Sequence, residues 1–284
     1  MKVAIQGFTG SFHAIATEKY FGFGQELVMC DSFPNLFKAL NNRDADCAVM
    51  AIENTIAGTI LFNYSLLRNS PYKIVGETFL RIEHCLLALP NQTIEDIKEV
   101  RSHPMALMQC MRFFSGRPEI RLLEDIDTAY MAELIAKNQT KGVAAVAGQG
   151  VAEKFGLQIL KKNIEDSEQN FTRFLVIAKQ EDAKPNQVFD QDKKPKLNKA
   201  TLSFTLAHKL GALKEVTEIL YNNHVNILTI QSTPLTGNQW EYIFYVDVEF
   251  QNIEDYTKTI HGLNRITPGL NEMGKYVNQL IIDN

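Results

Sequence analysis

The chain has 284 residues, of which 45% are hydrophobic and 22% are charged, and its formal net charge is -4. This length leaves room for two domains with ordinary cores, and the interspersed charges form no basic block that would favour nucleic acid or an anionic membrane surface as a partner. The first residues turn polar too early for a signal segment and no apolar run approaches ~18 residues, so we expect a cytoplasmic protein.

The first predicted elements are a buried strand over residues 2–6 and a helix over residues 12–20, joined by a glycine turn. Backbone N–H groups at such a turn lie at the positive end of the helix dipole, where they suit a carboxylate or a phosphate. Thr9 and Ser11 are therefore candidate substrate-binding residues. An ordinary βα turn with Ser11 as N-cap would have the same pattern, and the turn lacks the third glycine of a dinucleotide fingerprint.

Polar residues also follow the second predicted strand. A helix is predicted over residues 33–40, and a strand over residues 46–52 leads into Glu53, Asn54 and Thr55. Ligands in open α/β sheets bind beyond the carboxyl ends of strands, so these three residues are candidates for the rim of the same site. The alternative is that Asn54 and Thr55 only cap the helix that follows.

A second α/β lobe is predicted from about residue 77 to residue 167. Ser102 ends a predicted strand and Gln109 lies in the next helix, so both are expected to face a cleft between the lobes. Asp127 is first of all the N-cap of its helix. The predicted elements are an extended segment over residues 74–89, strand 100–102, helix 105–114, strand 120–123, helix 128–137 and strand 143–147.

Residues 170–174 (NFTRF) place a hydroxyl and a guanidinium side by side at the start of an apolar strand. If this strand returns to the first lobe, that lobe comprises about residues 1–76 and 168–180, and the two crossings of the chain give the cleft a hinge. Residues 181–199 are rich in Lys, Asp, Gln and Pro, which predicts a linker.

The C-terminal segment, residues 200–284, has the βαββαβ pattern of a ferredoxin-like domain. Small sheets of this topology often pair through their edges, and the loop at residues 210–213 would bring helix N–H groups near a ligand carboxylate. We therefore expect a regulatory amino-acid site here. The predicted elements are strands over residues 201–207, 225–234, 240–249 and 275–282, and helices over residues 211–222 and 253–262.

Four widely spaced cysteines, Cys30, Cys47, Cys85 and Cys110, lie in apolar contexts without a Cys-x-x-Cys pair, which predicts buried thiols. His84 precedes Cys85 in a predicted strand, where neighbouring side chains point to opposite faces. The two residues are therefore expected to be structural, and no metal site is predicted.

The motifs are together similar to those of the prephenate dehydratase family, and the similarity covers nearly the whole chain. They are residues 6–12 (QGFTGSF), 52–55 (IENT), 102–104 (SHP) with Gln109, and 170–174 (NFTRF), followed by an ACT-type module. The resemblance implies an α/β fold, with a two-lobed, periplasmic-binding-protein-like catalytic domain over residues 1–180 and a ferredoxin-like ACT domain over residues 200–284. It also implies a lyase of phenylalanine biosynthesis that converts prephenate to phenylpyruvate, water and carbon dioxide without a metal or cofactor.

By this resemblance Thr172 is the residue most closely associated with catalysis, with Asn54, Ser102 and Gln109 as polar partners. A threonine hydroxyl is too weak an acid to act alone, so we expect it to donate a hydrogen bond to the leaving oxygen or to form one link of a relay. The residues expected to contact the substrate are Thr9, Ser11, Glu53, Thr55, Arg173 and Phe174. The alternatives are an ion pair for Arg173 and a place in the core for Phe174.

The resemblance further implies feedback inhibition by L-phenylalanine in a homodimer or homotetramer. Family members commonly have Gly-Ala-Leu-Val and Glu-Ser-Arg-Pro where this chain has Lys214 in the fourth position and Gln-Ser-Thr-Pro at residues 231–234, so weaker inhibition is expected. The expected contacts are Leu210, Gly211, Ala212, Leu213, Asn226, Ile227, Leu228, Gln231 and Ser232.

Two other functions fit the same patterns. An arogenate dehydratase would act on a substrate that has an amino group where prephenate has a keto group, and no residue of the sequence decides between the two. A noncatalytic amino-acid-sensing regulator would also combine two lobes with an ACT module. The grouping of Thr172 with Ser102, Asn54 and Gln109 argues against the regulator.

Overall fold

A computed structural model describes residues 1–179, 196–206, 208–235 and 241–281. Most of the predicted linker therefore lies outside the described residues. The elements as far as residue 178 are β1 Lys2–Gln6, α1 Phe12–Phe21, β2 Glu26–Cys30, α2 Phe33–Asn41, β3 Cys47–Asn54, β4 Gly58–Thr59, α3 Leu61–Arg68, β5 Lys73–Arg81, β6 Cys85–Ala88, β7 Glu99–Ser102, α4 Pro104–Met108, α5 Met111–Ser115, β8 Arg121–Glu124, α6 Thr128–Asn138, β9 Val143–Ala147, α7 Gln149–Phe155, β10 Gln158–Lys161 and β11 Phe171–Ala178. They are followed by β12 Lys199–Leu206, α8 Ala212–Asn222, β13 Asn226–Pro234, β14 Tyr242–Glu249, α9 Ile253–Ile266 and β15 Asn271–Tyr276.

The described residues divide into two compact units. The first unit comprises residues 1–59 and 79–174, and the second comprises residues 60–78 together with the described residues from Leu175 onwards. Strands β5 and β11 therefore each contribute to both units. The boundaries predicted from the sequence at residues 180 and 200 both fall within the second unit.

The first unit contains two α/β lobes, as the sequence predicts. In lobe one, β1 lies between β2 and β3 and runs parallel to both, with Ile5 opposite Met29 on one side and Val49 on the other. In lobe two the strand order is β10-β6-β9-β7-β8, and β7 runs parallel to β8 and β9. Two apolar clusters cover the two faces of this second sheet, so its strands are buried on both sides.

Two predicted elements of the first unit are interrupted, and in both cases a tertiary hydrogen bond lies at the break. The extended segment 74–89 divides into β5 and β6, because the chain crosses between the lobes and the Ile82 N–H donates to the Asn170 carbonyl at 2.7 Å. The helix predicted over residues 105–114 stops at Met108 and resumes as α5, and the Gln109 carbonyl accepts from the Asp166 N–H at 2.7 Å. The sequence analysis also missed β2, α7 and β10.

In the second unit the C-terminal segment has the predicted βαββαβ order, and the sheet order is β13-β14-β12-β15-β5. An apolar core lies between this sheet and helices α8 and α9. The last strand was predicted at residues 275–282, but β15 ends at Tyr276. β15 pairs with β5 at Gly274, where a Cβ atom would clash with the Ile74 carbonyl oxygen, so the two strands approach closely at this glycine.

A buried ion pair joins β5 to β12 within the second unit. The Lys199 Nζ lies 2.9 Å from both carboxylate oxygens of Glu77, and the two residues are 2% and 0% exposed. The Gln279 N–H also donates to Glu77 Oε1 at 3.3 Å. Such a pair costs desolvation, so it is expected to specify the pairing of these strands more than to raise stability. Within the described ranges, no helix is both long enough and apolar enough to cross a membrane.

Candidate active site

The geometry of the candidate site begins with Asn54 at the end of β3. Its Oδ1 accepts hydrogen bonds from the backbone N–H groups of Ile56 at 3.0 Å and Ala57 at 2.8 Å. A backbone N–H can only donate, so the orientation of this amide is fixed. The Asn54 Nδ2 must therefore point the other way, where it lies 2.8 Å from Asn170 Oδ1 and 3.0 Å from the Thr172 hydroxyl oxygen.

This fixed direction propagates from one side chain to the next. Because Asn170 Oδ1 faces Asn54, Asn170 Nδ2 faces Gln109 and donates to its Oε1 at 3.0 Å. The same Gln109 Oε1 lies 3.0 Å from His84 Nε2, which must then carry the imidazole proton. We call these five residues, His84, Gln109, Asn170, Asn54 and Thr172, the amide network. It connects lobe two, through His84 and Gln109, to lobe one.

Two hydrogen-bond donors of the amide network have no acceptor among the described residues. The Thr172 hydroxyl oxygen accepts from Asn54, and within the described residues its proton has no acceptor. Gln109 directs its oxygen into the network, so its Nε2 group points away from it, also without a partner among the described residues. The two side chains are almost buried, at 9% and 8% exposure. A hydroxyl and an amide N–H aimed out of a buried network suit an oxygen-rich, anionic ligand.

Ser102 is placed differently from the other three predicted catalytic residues. It is fully buried, and its hydroxyl donates to the Val146 carbonyl at 2.7 Å, which ties the end of β7 to β9. No hydrogen bond connects it to the amide network in the described part of the chain. This position favours support of the lobe-two strands over direct contact with a ligand.

The substrate-binding residues predicted near Thr172 each make contacts within the protein. The Thr55 hydroxyl donates to the Gln169 carbonyl at 2.7 Å and accepts from the Phe171 N–H at 3.0 Å, so it fixes the start of β11. Arg173 is 4% exposed and lies 3.8 Å from the Glu53 carboxylate, which is the ion pair expected as its alternative role. Phe174 is 1% exposed and meets the His13 ring edge-on at 5.0 Å, which favours its alternative place in the core.

The predicted anion-binding turn lies where lobe one contacts lobe two. Ser11 caps α1 with its hydroxyl, 3.4 Å from the Ala14 N–H, and its own N–H donates to the Phe8 carbonyl. That N–H is therefore not available to an anion. Thr9 Oγ1 lies 3.3 Å from the Met29 sulfur. Gly7 has φ +99°, and a Cβ atom there would lie 3.2 Å from the Asp127 carboxylate.

A pocket of about 450 Å³ opens on the other side of this turn, and Thr172, Asn54 and Gln109 do not line it. Its wall is formed mainly by β2 and α2, with Asp31, Asn35 and Lys38 as polar lining residues. Asp31 is already bound by Asn35 at 2.5 Å. Three of the four predicted catalytic residues thus belong to the amide network, and none of the four lines this pocket. Within the described ranges, no three His, Cys, Asp or Glu side chains are grouped as metal ligands.

His84 and Asn170 belong to the network although the sequence analysis gave neither a functional role. His84 was placed within a long strand, but it lies in the crossing between β5 and β6, so the face alternation of a strand does not apply. Burial lowers its pKa, although the Gln109 hydrogen bond and the Glu165 charge oppose this. His84 is therefore neutral at pH 7. The EHC sequence gave no sign of this interruption or of the side chain that His84 contacts.

The predicted regulatory residues surround the start of α8 and the edge strand β13. Gly211 is the N-cap of α8 with φ +83°, and Leu210 next to it is fully exposed. Ala212 and Leu213 follow in the first turn of α8, which contacts β13. The remaining predicted residues lie on β13, where side chains alternate between half-buried and exposed, and they are Asn226, Ile227, Leu228, Gln231 and Ser232.

A family model for prephenate dehydratase matches residues 3–182. The chain belongs to the prephenate dehydratase family. It is 32% identical over 283 residues to a bifunctional chorismate mutase/prephenate dehydratase of Aquifex aeolicus, covering 99% of this chain and 75% of the relative. It is 33% identical over 291 residues to arogenate dehydratase 2 of Petunia hybrida, covering 97% of this chain and 71% of the relative. The predicted family and lyase class are thereby confirmed.

Two solved structures resemble nearly the whole chain. The structure of GqqA, described as a novel type of quorum quenching acylase, has a TM-score of 0.85 at 28% identity and covers 99% of this chain and 100% of its own. The prephenate dehydratase of Arthrobacter aurescens in complex with L-Phe has a TM-score of 0.83 at 23% identity and covers 98% of this chain and 90% of its own. The predicted fold class is confirmed.

Proposed function

We propose that the protein removes water and carbon dioxide from prephenate to form phenylpyruvate, and that the amide network is the catalytic centre. The observation that supports this most directly is the pair of donors, Thr172 O–H and Gln109 N–H, that the network directs outward. Aromatisation drives the reaction, and the barrier lies in expelling a poor leaving group, hydroxide, as the ring carboxylate departs. A donor aimed at the leaving oxygen lowers that barrier.

Thr172 is the better placed of the two donors for the leaving oxygen. Its oxygen accepts from the Asn54 amide, which makes its own proton a better donor, because hydrogen bonds in a series polarise one another. The Gln109 N–H then holds a carboxylate or the ring hydroxyl from lobe two. Arg173 follows Thr172 in the sequence, is buried and lies 3.8 Å from the Glu53 carboxylate. Its guanidinium is proposed to attract the second carboxylate of the substrate.

Arogenate is the alternative substrate, since an arogenate dehydratase also occurs among the relatives. Turnover of the two substrates side by side decides between them, with phenylpyruvate detected by ultraviolet absorption and phenylalanine by chromatography. We expect turnover with no added cofactor and after exhaustive chelation. Loss of activity in EDTA that one divalent ion restores would contradict the metal-free scheme. No product from either substrate would favour a noncatalytic sensor.

Acyl transfer is a different reaction class, raised by the similarity to GqqA. A hydroxyl nucleophile of that class needs a base within hydrogen-bond reach to take its proton. The partner of the Thr172 hydroxyl is an amide donor, Asn54, and in the described ranges no basic side chain accepts its proton. The geometry therefore favours dehydration. An acyl-amide substrate assayed in parallel, with release of the free acid as readout, tests this choice.

We also propose that L-phenylalanine inhibits the enzyme by binding to the C-terminal module of a homodimer or homotetramer. The N-terminus of α8 offers N–H groups to the ligand carboxylate, and Gly211 at its cap has φ +83°, a value that valine adopts only with strain. Gly211→Val is therefore expected to weaken L-phenylalanine binding in calorimetry. Gly22→Val is a matched control, because that glycine has φ +80° in the first unit. Unchanged binding in Gly211→Val would place the effector elsewhere.

A further inference from the structure

We propose that His84 is a positioning residue for the dehydration, and that it acts by reinforcing the orientation in which the Gln109 amide directs an N–H donor toward the substrate. The inference rests on the proposed function, but its central claim concerns a proton on one imidazole nitrogen, which can be observed without turnover. His84 Nε2 lies 3.0 Å from Gln109 Oε1, and the ring is 2% exposed.

The Gln109 amide has two possible orientations, which differ by half a turn of its last torsion. In the observed one, Oε1 faces two donors, His84 Nε2–H and Asn170 Nδ2, and Nε2 points out of the network. Reversal would set a Gln109 N–H against the Asn170 donor, would require the imidazole proton to move to Nδ1, which is buried without an acceptor among the described residues, and would direct an oxygen toward an anionic substrate. With His84 removed, only the Asn170 bond would still oppose reversal. His84 thus adds a second cost to reversal, the burial of an Nδ1–H group without an acceptor, and so helps to keep a donor at the site.

The imidazole is itself held for this one interaction. The His84 backbone N–H donates to Glu165 Oε2 at 2.9 Å, its carbonyl accepts from the Ile164 N–H at 3.0 Å, and Phe12 meets its ring edge-on at 5.6 Å. Its Nδ1 is buried and makes no hydrogen bond within the described residues. The hydrogen bond to Gln109 is therefore the one polar contact of the imidazole ring within the described residues, and it offsets part of the cost of burying the ring.

A second buried histidine provides an internal contrast. His13 Nε2 lies 3.2 Å from the Ala51 N–H, which can only donate, so His13 must carry its proton on Nδ1. Burial lowers the His13 pKa to about 4, so this ring is also neutral at pH 7. The two rings are thus expected to be opposite tautomers in the same molecule, Nε2–H for His84 and Nδ1–H for His13.

The first measurement is a long-range ¹H–¹⁵N spectrum of the full chain labelled with [¹⁵N]histidine at pH 7. The signals are assigned with His84→Phe and His13→Phe, and the expected result is the Nε2–H tautomer for His84 and the Nδ1–H tautomer for His13. An Nδ1–H tautomer or an imidazolium at His84 would overturn the inference, because Gln109 Oε1 would lose its second donor or the ring would carry a charge. This outcome does not depend on the substrate.

The second measurement is steady-state kinetics with prephenate. His84→Phe keeps the ring and its contact with Phe12 but removes the donor, and kcat is expected to fall by ~10–100-fold, by analogy with the loss of an outer hydrogen-bond partner of a metal ligand. His84→Gln can supply an N–H donor and is expected to recover most of that loss. Equal losses in His84→Phe and His84→Gln would indicate packing alone and reject the positioning role.

A double-mutant cycle distinguishes an effect that acts through Gln109 from a general effect of the His84 substitution on folding. If His84 acts through Gln109, then His84→Phe should cost little more in a Gln109→Leu background, where the oriented amide is already gone. Full additivity of the two changes, or a wild-type kcat in His84→Phe, would refute the inference. A wild-type protein that turns over neither prephenate nor arogenate would instead refute the proposed function, while the tautomer spectrum would still decide the direction of the hydrogen bond.

Discussion

Replacing Asn54 by aspartate is the sharpest test of the direction of the amide network. The carboxylate keeps one oxygen for the backbone N–H groups of Ile56 and Ala57, so the local turn is preserved. Its second oxygen replaces Nδ2 and faces two carbonyl acceptors, Asn170 Oδ1 at 2.8 Å and the Phe171 carbonyl at 3.2 Å, together with the Thr172 hydroxyl at 3.0 Å. The substitution thus replaces one hydrogen-bond donor by an acceptor and leaves the side-chain volume almost unchanged.

The ionised aspartate draws the Thr172 proton toward itself, which removes that donor from the substrate. One positioned donor is worth ~10²–10³ in kcat, so we expect a loss of that size at pH 8. The variant should also be less stable by about 1–3 kcal/mol, the cost of a buried group left without hydrogen bonds. Asn223→Asp is the matched control, because it removes an amide donor to the Ile219 carbonyl in the second unit.

Lowering the pH should partly restore the stability and the kcat of the Asn54→Asp variant. Burial among oxygen acceptors raises the folded-state pKa of the new carboxyl above its unfolded value of ~3.9, so the destabilisation is complete above the folded pKa and fades as the pH falls toward ~3.9. The protonated carboxyl regains an O–H donor, so kcat relative to wild type should rise over the same interval. A variant with wild-type kcat and melting temperature at pH 8 would show that Asn54 does not donate to Thr172.

Three further outcomes follow from the structure. Thr172→Ala should lower kcat at least about a hundredfold in a folded protein, as judged by circular dichroism, while Thr172→Ser retains much more; near-normal turnover in the alanine variant would remove Thr172 from the mechanism. His13 has a folded pKa of about 4 against 6.5 in the unfolded chain. Stability should therefore decline as the pH falls from 6.5 to 4, by about 3 kcal/mol from this group, and His13→Gln should reduce that decline in urea titrations; an unaltered pH slope contradicts it. Glu77→Gln should destabilise the protein by about 3–5 kcal/mol, because it leaves the Lys199 ammonium buried without that carboxylate, whereas Glu77→Met combined with Lys199→Met should cost much less; equal urea midpoints for the single and double variants would refute this account.

The sequence was most informative where a strand ends in polar residues. Asn54 and Thr172 lie at strand ends that the apolar runs before or after them already mark, and Gln109 follows the next strand end after a proline. The βαββαβ order of the C-terminal segment was also predictable, because its apolar positions alternate and its helices have clear apolar faces. These features depend on local pattern, which a single sequence displays.

The missed features depend on contacts between distant residues. The interruption at residues 82–84 exists because the Ile82 N–H meets the Asn170 carbonyl, and no propensity in the run from residue 74 to residue 89 signals it. Gln109 is released from its helix in the same way, by the Asp166 N–H. Both interruptions deliver side chains to the amide network. Local sequence patterns therefore do not reveal the positions where tertiary hydrogen bonds build the amide network.

On the proposed function, the amide network would place neutral hydrogen-bond donors at the leaving oxygen. Amide donors and acceptors are fixed by two backbone N–H groups after Asn54, and each following side chain inherits its direction from the one before it. His84 stays uncharged because burial lowers its pKa. A charged acid beside the substrate would bind the departing carboxylate and oppose its conversion to carbon dioxide. In the proposed mechanism a neutral hydroxyl, polarised by an oriented amide, donates to the leaving oxygen without adding a positive charge that would stabilise the carboxylate against loss of carbon dioxide.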